Sequence, residues 1–199
     1  AANGKLYCAP HNAAQVLEID PVTGTTALIG SVYAGTNKYF GITSAANGKL
    51  YCAPHNAAQV LEIDPVTGTT ALIGSVYAGT NKYFGITSAA NGKLYCAPSN
   101  ATKVLEIDPV TGTTALIGSL YGGIVKYVGI TSAANGKLYC APSNATKVLE
   151  IDPVTGTTAL IGSLYGGIVK YVGITSAANG KLYCAPSNAT KVLEIDPVT

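Results

Sequence analysis

Residues 1–23 read AANGKLYCAPHNAAQVLEIDPVT, and the chain writes this stretch five times, from Ala1, Ala45, Ala89, Ala133 and Ala177, with at most three substitutions. The copies lie 44 residues apart, separated by segments of 21 residues. A constant period of that size marks a repeat architecture, in which one unit cannot bury its apolar surface alone. The units run 1–44, 45–88, 89–132, 133–176 and a partial 177–199, read as one domain over residues 1–199.

Within the first unit, Asn3-Gly4 suits a tight hairpin because both residues tolerate positive φ. Lys5 to Ala9 follows as a strand and breaks at Pro10-His11-Asn12-Ala13, since proline donates nothing to a ladder. Gln15 to Asp20 is the next strand, with Leu17 and Ile19 on one face and Val16, Glu18 and Asp20 on the other. In Asp20-Pro21-Val22-Thr23-Gly24 the aspartate bonds the backbone ahead, proline presets φ and glycine takes the left-handed conformation of a turn. Thr25 to Gly30 is a third strand, Ser31 to Lys38 a loop, and Tyr39 to Ser44 a fourth strand.

Four short strands in 44 residues leave no room for a helix of ordinary length. Such a meander covers both its faces by packing face to face with its copies around an axis. The expectation is therefore an all-β fold, a β-propeller of five blades of four-stranded antiparallel sheets with incomplete terminal blades. Tyr39 to Ile42, apolar on both faces and carrying Gly41, suits the crowded innermost position. The first blade then lacks its inner strand and the last its outer one. The ring closes as five blades, closes as four with a hairpin left over, or chains share strands or blades; five is the favoured count. A parallel β-helix is the rival, with shorter coils and no such hairpins.

The string Val-Leu-Glu-Ile-Asp-Pro-Val-Thr-Gly-Thr-Thr at 16–26, 60–70, 104–114 and 148–158 resembles the third-to-fourth-strand hairpin of many β-propellers. Asn-Gly-Lys-Leu-Tyr is similar to their first-to-second-strand hairpin. The resemblance implies the fold and not the function, because propellers include lectins, enzymes, inhibitors and interaction scaffolds.

Net charge is +2, and the 12 lysines are spread along the chain among acidic residues, which argues against nucleic acid as a partner. No apolar run reaches the roughly 18 residues of a membrane helix, so no membrane partner is expected. No secretion leader opens the sequence, which leaves the compartment undetermined. No cofactor motif occurs. Open strand edges at both ends make self-association through the incomplete terminal blades an expectation.

Cys8, Cys52, Cys96, Cys140 and Cys184 recur on equivalent strands, on the order of 10 Å apart in a ring. That exceeds the roughly 7 Å between Cα atoms that a disulfide tolerates, so they read as buried free thiols. His11 and His55 stand without a metal or triad motif and read as exposed turn residues. Glu18 and Asp20 share a strand face, as glycosidase carboxylates do across a cleft. The plainer assignment pairs them with nearby lysines and with the following turn. No residue is read as catalytic, no metal ligand is assigned, and the chain is read as not an enzyme.

Residues 1–44 equal 45–88 and residues 89–132 equal 133–176, while the two types differ at eight positions. Natural repeats drift, because interfaces tolerate many side chains of similar volume. Perfect copies point to recent duplication or to deliberate design, and design of a symmetric scaffold without specific activity is the favoured reading. The changes are His11/Ser99, Ala14/Thr102, Gln15/Lys103, Val32/Leu120, Ala34/Gly122, Thr36/Ile124, Asn37/Val125 and Phe40/Val128. All lie in or beside the two connections that emerge on one rim of a propeller. The alternative function is thus a multivalent, lectin-like propeller binding small sugars there, tyrosine stacking on the sugar and asparagine bonding hydroxyls. Its candidate residues are Asn12, Tyr33, Asn37, Asn56, Tyr77, Asn81, Asn100, Tyr121, Asn144 and Tyr165. Asn100, Asn144 and Asn188 also open Asn-x-Thr sequons, which matter on a secretory route.

Overall fold

The computed structural model of the chain describes residues 1–198, and among them there are eighteen strands and no helix. They form five antiparallel sheets in chain order. The first blade is β1 (Leu6–Cys8), β2 (Val16–Ile19) and β3 (Thr26–Ile29). The second is β4 (Tyr39–Ser44), β5 (Leu50–Pro54), β6 (Val60–Asp64) and β7 (Thr69–Ile73). The third, β8 (Tyr83–Ser88), β9 (Leu94–Pro98), β10 (Val104–Asp108) and β11 (Thr113–Ile117), and the fourth, β12 (Tyr127–Ser132), β13 (Leu138–Pro142), β14 (Val148–Asp152) and β15 (Thr157–Ile161), repeat it. The fifth is β16 (Tyr171–Ser176), β17 (Leu182–Pro186) and β18 (Leu193–Ile195). The arrangement is a five-bladed propeller with incomplete terminal blades.

Alternation along the strands gives every complete blade two apolar faces, and the core lies between blades. Tyr51, Ala53 and Val60 of the second blade pack on Tyr83, Ile86, Leu94, Cys96, Leu105 and Ile107 of the third. The same positions meet at the other three junctions. Burying a side chain of this size contributes about 1.5–3 kcal/mol, which makes these junctions the main source of cohesion.

Polar groups close each junction at its edges. Asn47 Nδ2 donates to Tyr51 Oη at 2.8 Å and to the Pro109 carbonyl of the next blade at 3.0 Å. Tyr51 Oη donates to Glu62, whose other oxygen receives Lys49 Nζ at 2.6 Å. Glu62 is thus a structural ion-pair partner, as the plainer assignment had it. Asp64 Oδ1 accepts from the Val66 and Thr67 amides, holding the turn that Asp-Pro-Val-Thr-Gly encodes.

The inner strands β4, β8, β12 and β16 stand side by side. Gly41 lies at φ 76°, where the β4–β5 register shifts between Tyr39 and Ile42. A Cβ there would stand 2.8 Å from the Phe84 carbonyl oxygen, so the neighbouring backbone occupies the space of a side chain.

The outward faces of the first and last blades do not meet. Cys8 is exposed while the four other cysteines are buried, so the thiols are not all buried as the repeat implied. Cys8 lies on the first blade's uncovered face, and a local sequence identical to that of Cys52 cannot reveal this. The histidines also depart from expectation. His55 is 3% exposed, 4.3 Å from the Phe84 ring and 5.7 Å from Phe40, with Nδ1 3.1 Å from the Tyr83 carbonyl. His11 is half-buried, edge-on to Phe40 at 5.3 Å. An aromatic partner one blade on, out of reach of a local reading, draws His55 out of water.

Gly41→Ala is expected to lower the unfolding free energy by about 2–3 kcal/mol in chemical denaturation. Gly173→Ala, at the equivalent position of the last blade with open space around it, should stay within about 0.5 kcal/mol of the parent.

Candidate functional site

The loop between an outer strand and the next inner strand crosses from one blade to the other, held by main-chain bonds at both ends. The Tyr77 amide donates to the Ala58 carbonyl at 2.8 Å and the Lys82 amide to the His55 carbonyl at 2.9 Å. On the far side, the Asn100 amide donates to the Asn81 carbonyl at 2.9 Å, and Asn100 Oδ1 accepts the Val125 amide at 2.8 Å. Each such asparagine, from Asn12 to Asn144, receives an amide of the following loop in this way.

This crossing builds the same cleft three times on one rim. One, of about 430 Å³, is lined by Val76, Tyr77, Thr80, Lys82, Asn100, Thr102, Lys103 and Leu116. The equivalent at the first junction, about 360 Å³, holds Tyr33, Lys38, Asn56 and Gln59. The one at the third, about 330 Å³, holds Tyr121, Lys126, Asn144 and Lys147. Val76 and Leu116 give the first of these exposed apolar walls. Among the described residues, none of the three clefts is lined by an acidic side chain.

Tyr33, Tyr77 and Tyr121 thus face clefts together with Asn56, Asn100 and Asn144, but each tyrosine is joined by the asparagine of the following repeat rather than its own. Their hydroxyls are 2.8, 2.8 and 2.6 Å from Oγ1 of Thr70, Thr114 and Thr158 on the next blade, which leaves the half-buried rings as the accessible part. Asn12 lies outside these clefts. Tyr165 lines a different groove, of about 520 Å³, beside β18.

Asn37 and Asn81 line none of the clefts. They hold backbone at φ 51° and 52°, a left-handed conformation that asparagine tolerates. In the other repeat type Val125 and Val169 occupy it at φ 49°, where a β-branched residue is strained. Both oxygen and nitrogen of the sequon residues Asn100 and Asn144 are engaged with backbone.

The lysines were missed by sequence reasoning. Lys82 is 4% exposed, and its Nζ donates to the Gly79 carbonyl at 2.8 Å. Lys126 Nζ donates to the Gly123 carbonyl at 2.9 Å and the Ser99 carbonyl at 2.7 Å. Burial pulls both ammonium groups below the ordinary lysine range. Among the described residues the ion pairs use Lys5, Lys49, Lys93, Lys137 and Lys181, so Lys82 and Lys126 face no carboxylate. The available signal was a lysine kept before every inner strand, at 38, 82, 126 and 170, beside the Gln15-to-Lys103 change. Ser99 and Ser143, in the position of His55, leave buried hydroxyls without a hydrogen-bond partner. Among the described residues, no three His, Cys, Asp or Glu side chains cluster as metal ligands would.

Blades of this kind, repeated in order and joined face to face, define a propeller-type repeat protein. A streptogramin B lyase structure superposes on the whole chain with a TM-score of 0.78 at 17% identity, spanning 67% of its own length. A catalytically inactive virginiamycin B lyase from Staphylococcus aureus with quinupristin gives 0.78 at 15% identity over 98% of this chain and 67% of its own. A putative 6-phosphogluconolactonase from Bacteroides uniformis gives 0.66 at 16% identity over 98% of this chain and 64% of its own. At these identities the likeness is one of fold. No family model and no curated protein matches the sequence.

Val125→Asn and Val169→Asn should each raise stability by about 1 kcal/mol, read as a higher denaturation midpoint at unchanged slope. Burial lowers the pKa of His55 from the ordinary 6.5, so the unfolded chain binds its proton first. Stability is full above that value and falls as pH drops below it toward the folded pKa. His55→Ser should flatten this slope in denaturation as pH falls below the ordinary 6.5.

Proposed function

We propose that the chain is a non-catalytic, multivalent binding module whose rim clefts take small saccharides carrying a negative charge. The observation that carries the reading is the threefold recurrence of one cleft with a tyrosine ring and apolar walls and no acid, two of the three adding a partly exposed lysine, Lys103 or Lys147, where the other has Gln59. A sugar's apolar face suits the half-buried ring, and a carboxylate or sulfate group suits Lys103 and Lys147, which line their clefts and take part in none of the ion pairs among the described residues. No carboxylate, histidine or cysteine lines these clefts, which supports binding rather than turnover. Single sites this shallow bind weakly, and three on one rim gain by avidity.

A symmetrised scaffold with no ligand is the second reading, favoured by the identity of residues 1–44 with 45–88 and of 89–132 with 133–176.

Calorimetric titration with a uronic acid, a sialic acid and a neutral hexose decides between the two. The acidic sugars should bind, more weakly at high salt, and the combined variant Lys103→Gln and Lys147→Gln should weaken them by about three- to tenfold. Equal binding of the neutral sugar would remove the charge from the reading. Silence toward all three, and on a glycan array, leaves the scaffold.

A further inference from the structure

The four junctions between blades are copies of one contact, and each has two unlike halves. At the junction of the second and third blades, Tyr51, Ala53 and Val60 form one half, and Leu94, Cys96, Leu105 and Ile107 belong to the other. Shifted by the 44-residue period, the first blade carries an unused second half, Leu6, Cys8, Leu17 and Ile19. The last carries an unused first half, Tyr183, Ala185 and Val192.

Both lie open. Leu6 is 54% exposed where Leu94 is fully buried, and Val192 is 58% exposed where Val104 is fully buried. Ala185 and Cys8 are exposed where Ala97 and Cys96 are buried. We propose that these two faces bind each other between copies of this chain, the last blade of one seating on the first blade of the next. Their fit is displayed by the molecule itself, because the same side chains pack together four times within it.

The contact lacks the inner-strand tyrosine and isoleucine that the internal junctions contain, so it is smaller and reversible. Its halves are unlike, so each copy keeps one face free after binding and association runs head to tail, into a closed ring or an open chain according to the rotation between copies. The rim clefts play no part in it.

The test is light scattering of the full chain across micromolar concentrations, together with maleimide labelling of Cys8. Mass should rise with concentration, and Cys8 labelling should slow by about tenfold once about nine chains in ten are associated. Ala185→Arg blocks the last blade's face and Leu6→Lys the first blade's. Each position is solvent-exposed, so both variants should keep the parent's circular dichroism and remain monomeric alone. Mixed together they retain one compatible pair of faces, and should give a dimer that grows no further. A constant monomer mass with Cys8 open at every concentration overturns the proposal. So does association in which Cys8 stays reactive or which both variants leave intact, since another surface then carries it.

Discussion

An apolar sheet face that finds its cover on the next copy of the same sheet is the contact on which this molecule depends. Leu94, Cys96, Leu105 and Ile107 meet Tyr51, Ala53 and Val60, and three further junctions repeat the arrangement. No blade has a core of its own, so short strands, tight hairpins and the curvature of the arc all serve these junctions. The close backbone approach at Gly41 is the price of bringing the inner strands near enough to shut them.

The two rims do different work. On one, Asn47, Tyr51, Glu62 and Lys49 form a side-chain network that reaches the next blade through the Pro109 carbonyl, and these residues are the same in every repeat. On the other, much of the closure is made by main-chain groups, which leaves several side chains free to differ between repeat types. Some differences there are nonetheless matched. Phe40 and Phe84 accompany the histidines that pack on them, and Val128 and Val172 accompany the smaller Ser99 and Ser143. These two differences share a packing contact, while all eight change together between the two repeat types.

Strands and turns were legible because their causes are local. Asn-Gly and Asp-Pro-Val-Thr-Gly carry their own conformational reasons, and the fourth strand of the unit, Tyr39–Ser44, falls where alternation and Gly41 put it. Of the tyrosines singled out from the sequence, Tyr33, Tyr77 and Tyr121 line the rim clefts and Tyr165 a different groove. What stayed hidden depends on neighbours across a junction: Phe84 burying His55, the asparagine of one repeat serving the tyrosine of another, lysines folded back onto glycine carbonyls. Cys8 and Cys52 make the limit plain, since the repeats that hold them are identical while one thiol is exposed and the other buried.

The bond from Asn47 to Pro109 recurs from Asn3 to Pro65, from Asn91 to Pro153 and from Asn135 to Pro197, always spanning 62 residues. Every such clasp joins a blade to its immediate successor. A gene encoding this chain can therefore gain or lose an entire module and leave the surviving clasps unaltered, whereas removing a few residues from the middle of one would change the spacing of the clasp that spans it. Evolution of such a protein proceeds by counting whole units, and its length is the trait most readily changed.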